Sequence, residues 1–156
     1  MGGGGAEGPG GYVPLVMLRL DGTVYAQMLA HCVDGWPLEA CGLLGGRPGR
    51  PDDGGAAATV CYPTANLAES ARVYTVDPRA HLRADRDAEA RGLEVIGVFH
   101  SHTHTAPYPS PTDVAQAPDP AWHYVLVSLA DGAPTVRSYR IVDGNIAEEP
   151  VVLLSG

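Results

Sequence analysis

Lysine is absent from this sequence, and its ten basic side chains, all arginine, face 18 aspartates and glutamates for a net charge of −8 over 156 residues. The arginines nowhere gather into a patch able to grip a phosphate backbone or an anionic bilayer, so neither nucleic acid nor membrane is expected as a partner. Long apolar stretches are missing too: no segment approaches the roughly 20 apolar residues that cross a bilayer. The first residues lack the basic-then-apolar order of a secretory signal, and Ala6 stands where a myristoylation start needs Ser or Thr. Cysteine is sparse, with Cys32, Cys41 and Cys61 odd in number and irregular in spacing. That pattern argues against a disulfide framework and predicts a reducing, cytoplasmic setting.

What is present is an ordinary globular composition, 45 % apolar and 18 % charged, on a chain long enough for one domain with its own core. The opening "MGGGGAEGPGG" can bury nothing, so residues 1–11 are expected to form a flexible tail before a single domain over residues 12–156. "YVPLVMLRL" then reads as a first strand. Val24, Met28 and Cys32, with Tyr25, Leu29 and Val33 beside them, form an i, i+4 stripe. The stripe predicts an amphipathic helix starting at Asp21 or Thr23 and ending at Gly35-Trp36-Pro37. "ACGLLGG", "ATVCYPT" and "EVIGVFHSH" read as strands, and residues 78–91 as a helix with Pro78 in its first turn. A short helix in "SPTDVAQA" precedes strands in "WHYVLVSLA" and in "TVRSYRIVDGNIAEEPVVL", the latter turning at Asp143-Gly144. Strands interleaved with two or three helices predict an α/β fold with one mixed β-sheet.

Three of the six histidines stand at 100, 102 and 104, where an apolar strand stops. A metal site, a pH-sensitive surface or chance composition could each explain them. Side chains alternate along a strand, so His100 and His102 share a face and Ser101 takes the other. Two imidazoles so placed are half of a tetrahedral zinc site, and Asp113 is an oxygen donor on the next helix. Two histidines, one carboxylate and one open position make the coordination of a catalytic zinc, which would draw hydroxide from water near neutral pH. Ser110-Pro111-Thr112-Asp113 is equally a good helix start, with Ser110 as N-cap, Pro111 at N1 and Asp113 at N3. The two readings are compatible, because a capping serine can still offer its hydroxyl to a neighbouring site.

The order Glu39 before a small apolar strand, His100-Ser101-His102, then Ser110 and Asp113, resembles the motif of the JAMM (MPN-plus) metalloproteases. "TANLAESARVYTVDP" is similar to that family's Asn-containing strand and Tyr-x-x-Asp-Pro turn, here Asn66, Tyr74, Asp77 and Pro78. The resemblance runs over about residues 13–150 and implies a JAB1/MPN-type fold. It implies that His100, His102 and Asp113 hold Zn²⁺, and that Glu39 carries a proton from water to the leaving amine. Ser110 would donate to the oxyanion. His104 departs from the motif and reads as a solvated loop residue. Cys41, two positions from Glu39, reads as a small buried residue, and Cys32 and Cys61 as core; His31, His81 and His123 have no partner spacing.

Within the family, "PYPSPTDVAQA", "HYVLVS" and "VRSYRIVDGNIAEEPV" are similar to small actinobacterial enzymes. Those enzymes remove cysteine from the C-terminal Gly-Gly of a ubiquitin-like sulfur-carrier protein, in cysteine biosynthesis. The resemblance therefore implies such a carrier as partner. Two alternatives stand beside it: trimming a longer extension to expose Gly-Gly in a sulfur-containing natural-product pathway, or a metal-free module that docks ubiquitin-like tails.

Overall fold

The computed structural model describes residues 17–49 and 55–154. The expected tail over 1–11 and the start of the expected first strand, 12–16, lie outside the described residues. The elements are β1 (Leu18–Asp21), α1 (Gly22–Gly35), β2 (Cys41–Arg47), β3 (Ala56–Thr64), α2 (Pro78–Ala90), β4 (Glu94–His102), α3 (Pro111–Ala115), β5 (His123–Ser128), β6 (Thr135–Val142), β7 (Asn145–Glu149) and β8 (Val151–Leu154). Helix α1 buries Val24, Met28 and Cys32, as its periodicity predicts. Helix α2 starts on Pro78, capped by the Asp77 side chain, which accepts from Arg79 N–H at 2.9 Å.

The eight strands form one sheet in the order β7-β6-β5-β4-β2-β3-β1-β8. It is mixed: β4 runs parallel to β5, and β1 parallel to both β3 and β8, while the remaining pairs are antiparallel. Strands β7 and β8 are joined only through Pro150, yet they occupy opposite edges, so the sheet curls until its edges face one another. The Asp143-Gly144 turn between β6 and β7 has both residues at positive φ, 51° and 78°, as a two-residue hairpin of primed type requires. The sequence anticipated this turn; it did not separate β8 from β7 or send it to the far edge.

Strand β4 lies at the centre and is buried at every position after Glu94. One face of the sheet packs with α1 around Phe99, Leu44, Val125 and Val127, and the other with α2 around Val98, Leu43, Tyr124 and Leu126. Ile96 is left without a partner where the β2–β4 register skips from Gly97 to Val95, a bulge that sets the alternation of the strand's second half. Beyond it Phe99 points toward α1, so His100 and His102 project on the α2 face at the strand's C-terminal end. The single phenylalanine of the chain lies over Gly42, where an added Cβ would stand 2.4 Å from its ring. Among the described residues no helix is long and apolar enough to cross a membrane.

Candidate active site

His100 and His102 reach the end of β4 together, and α3 brings Asp113 over them. Asp113 Oδ2 lies 3.3 Å from His100 Nε2 and 3.1 Å from His102 Nε2, and the two ring nitrogens are 3.2 Å apart. All three residues are buried. The approach of α3 is fixed by a capping box: Ser110 Oγ accepts from Asp113 N–H at 3.0 Å, and Asp113 Oδ2 accepts from Ser110 N–H at 2.8 Å. Ser110-Pro111-Thr112-Asp113 is the helix start expected from the sequence. The carboxylate caps its helix with the same oxygen that it turns toward the imidazoles.

The loop from β4 to α3 is held from below. His102 Nδ1 lies 2.8 Å from the Ala106 carbonyl, Ser128 Oγ donates to the Thr105 carbonyl at 2.6 Å, and Tyr139 Oη donates to the Pro107 carbonyl. A carbonyl can only accept, so His102 Nδ1 carries a proton; burial opposes the ring's charge, but hydrogen bonds with Asp113 and Ala106 raise its pKa. The His100 ring is stacked on Tyr74 with centroids 4.1 Å apart and planes 22° from parallel. Burial lowers the His100 pKa and outweighs the pull of Asp113, which favours the neutral ring. Burial also opposes the charge on Asp113, yet hydrogen bonds from His100 and His102 hold its carboxyl well below the usual range. Two imidazole nitrogens and one carboxylate oxygen thus converge within 3.3 Å of one another. These three residues are a group that could hold a metal ion, and a nitrogen, nitrogen, oxygen set suits zinc.

Glu39 enters from the segment before β2. Ala40 N–H donates to Ser101 Oγ at 2.8 Å, and the Ala40 carbonyl accepts from Ser101 N–H at 2.9 Å, locking this segment against β4. Asn66 Nδ2 donates to the Glu39 carbonyl at 2.9 Å, and Glu39 N–H donates to the Ser70 carbonyl at 2.8 Å. Glu39 is 4 % exposed, and its Oε1 has no hydrogen-bond partner. Its pKa is pushed up to about 7, chiefly by burial, with His102 opposing and Asp113 adding to the rise. Glu39, Ala71, Arg72, His102, His104, Thr105 and Ser110 line one cleft of about 610 Å³.

The five residues singled out in the sequence therefore lie together. Cys41 is buried, its Sγ 3.4 Å from Thr64 Oγ1 and its thiol pushed up by burial, which suits the structural reading. His104 is exposed as expected, and it also lines the cleft, with its ring 5.0 Å from that of Trp36. Arg72 and the stacking role of Tyr74 were not anticipated; both come from a loop whose path no local pattern reveals. His123, left without a role, is buried against Glu149, whose Oε1 also accepts from Ser138 Oγ at 2.8 Å.

Residues 22–142 match the family model of prokaryotic homologs of the JAB domain. The chain is a prokaryotic JAB-domain protein. It is 40 % identical over 147 residues to the CysO-cysteine peptidase of Mycobacterium tuberculosis, covering 86 % of this chain and 96 % of that one. A desampylase of Haloferax volcanii is 32 % identical over 127 residues, covering 78 % of this JAB chain and 87 % of the relative. A probable TtuB-protein conjugate cleaving protease of Thermus thermophilus is 30 % identical over 137 residues, with 87 % and 83 % covered. A solved protein from Desulfitobacterium hafniense superposes with a TM-score of 0.81 at 36 % identity, covering 90 % of this chain and 94 % of that one. The expected JAB1/MPN-type fold, with a mixed sheet and three helices, is the fold of this JAB domain. Its named relatives are proteases and peptidases.

Proposed function

We propose that this protein is a zinc-dependent amide hydrolase that releases cysteine from the C-terminal Gly-Gly of a ubiquitin-like sulfur-carrier protein, in cysteine biosynthesis in the cytoplasm. The observation that carries the reading is the convergence of two imidazoles and a carboxylate beside a buried glutamate whose Oε1 has no hydrogen-bond partner. His100, His102 and Asp113 would hold the zinc. When bound, the ion supplies Lewis acidity at the scissile carbonyl and a strong nucleophile from water at neutral pH. The choice of cysteine and carrier is supported by the 40 % identity to a CysO-cysteine peptidase.

Glu39 then acts as the proton carrier. A carboxyl poised near 7 can take a proton from the attacking water and hand it to the departing amine. The amide C–N bond breaks, water supplies the new carboxylate oxygen, and cysteine leaves as the free amine. Ser110 Oγ already accepts from Asp113 N–H, so its own proton remains available for the carbonyl oxygen that gains charge in the transition state. A Gly-Gly tail suits the cleft, because without side chains its backbone can approach closely.

The second reading, cleavage of a longer extension or of a protein conjugate, is favoured by the desampylase and TtuB-conjugate protease among the relatives. Intact-mass analysis of a Gly-Gly-Cys-terminated carrier incubated with zinc-loaded protein separates the two. Loss of one cysteine residue, blocked by a chelator, is the expected result. An unchanged mass beside cleavage of a longer tail would move the assignment to the second reading. Substoichiometric zinc in folded, freshly purified protein would instead favour a metal-free docking module.

A further inference from the structure

Amide hydrolysis leaves Arg72 without a task. It lines the cleft with Glu39, His104 and Ser110, and among the described residues it is the only permanent cation there. Its backbone is closely fixed: Arg72 N–H and Val73 N–H donate to Ser70 Oγ at 3.0 and 3.3 Å, while the Ser70 carbonyl accepts from Glu39 N–H at 2.8 Å. Thr103 Oγ1 donates to the Ala71 carbonyl at 3.5 Å, tying the same segment to the end of β4. The arginine therefore springs from a turn anchored to Glu39 on one side and to the His102 strand on the other. No ion pair joins its guanidinium to Glu39 or to any other described carboxylate, whereas Arg91 and Arg137 each hold one.

We propose that Arg72 determines specificity by pairing with the free α-carboxylate of the amino acid released, so that the preferred substrate is a tail extended by a single residue. The inference rests on the hydrolase reading above. On the Gly-Gly side of the scissile bond a tail offers only neutral backbone. On the leaving side, a one-residue extension holds its carboxylate a single Cα away from the amide nitrogen. A lysine isopeptide or a longer extension has no carboxylate there. Glu39 and Asp113 would repel that carboxylate, in a chain already carrying a net charge of −8. A planar guanidinium offsets the repulsion and matches carboxylate geometry with two parallel hydrogen bonds.

The test is binding, read apart from turnover. Carrier-tail peptides ending in Gly-Gly-Cys, as free acid and as carboxamide, are titrated calorimetrically into zinc-loaded Glu39→Gln protein, with Arg72 intact and with Arg72→Gln. With Arg72 the acid should bind about 10- to 100-fold tighter than the carboxamide, a preference that Arg72→Gln abolishes and Arg72→Lys partly restores. Equal affinities with Arg72 present, a preference that survives Arg72→Gln, or no measurable binding of the acid would each overturn the assignment. Turnover by protein with Glu39 intact judges the other reading: if neither peptide is cleaved, cysteine release fails, while the acid-to-amide ratio in binding still decides the role of Arg72.

Discussion

At the scale of single residues, the site is a convergence of ring nitrogens on one carboxylate oxygen. His102 donates from Nδ1 to Ala106, burial lowers the His100 pKa, and both rings face the oxygen with which Asp113 caps its helix. Asp113→Ala removes a proposed ligand and half the capping box together, so zinc content measured by plasma mass spectrometry should fall well below stoichiometric. Undiminished metal would confine Asp113 to capping. Glu39 yields a pH prediction. In protein stripped of metal its carboxyl should titrate near 7, followed by carbon NMR of the labelled side chain, and zinc should move it down, because a nearby cation favours the charged form. The folded pKa is raised, so its contribution to the stability of metal-free protein is full below the ordinary value of about 4.5 and is lost as pH rises through about 7. Titration at the ordinary value with no response to zinc would separate Glu39 from the metal centre.

At the scale of elements, packing between β2 and β4 sets where His100 and His102 stand. Phe99 fills the space over Gly42 and immediately precedes His100, so crowding there disturbs the strand that carries both histidines. A Cβ at Gly42 would meet the ring at 2.4 Å and the Tyr62 carbonyl at 2.7 Å. Gly42→Ala should therefore cost about 1–3 kcal/mol, seen as a lower denaturation midpoint with an unchanged slope. An unaltered midpoint would mean that the ring moves aside freely. Elements whose information is local were legible in the sequence. The stripe Val24, Met28, Cys32 marks α1, alternation places His100 and His102 on one face, and Asp143-Gly144 marks the hairpin. The grouping of His100, His102 and Asp113 was legible for the same reason, being short-range spacings on a strand and a helix start. Tyr74 against His100, Arg72 beside Glu39, and His123 against Glu149 were not. Each joins segments that meet only when the sheet is assembled, and no periodicity encodes such a meeting.

At the scale of the whole molecule, the curled sheet divides into a centre that holds the chemistry and a rim that does not. β4 is covered on both faces, whereas β8 is an edge strand with Leu153 51 % exposed. Backbone amides of β8 should exchange with deuterium faster than those of β4 and β5, measured peptide by peptide. Uniform protection would show instead that the seam opens only with the entire fold. The same topology fixes an order of events during synthesis. Leu18 pairs with Val151, so the first described strand gains its outer neighbour only when the last has been made. Every described residue lining the cleft precedes that moment, as does Tyr139, which steadies the loop at Pro107. On the ribosome, His100, His102, Asp113 and their supports have all been translated while the edge of β1 still waits for its partner.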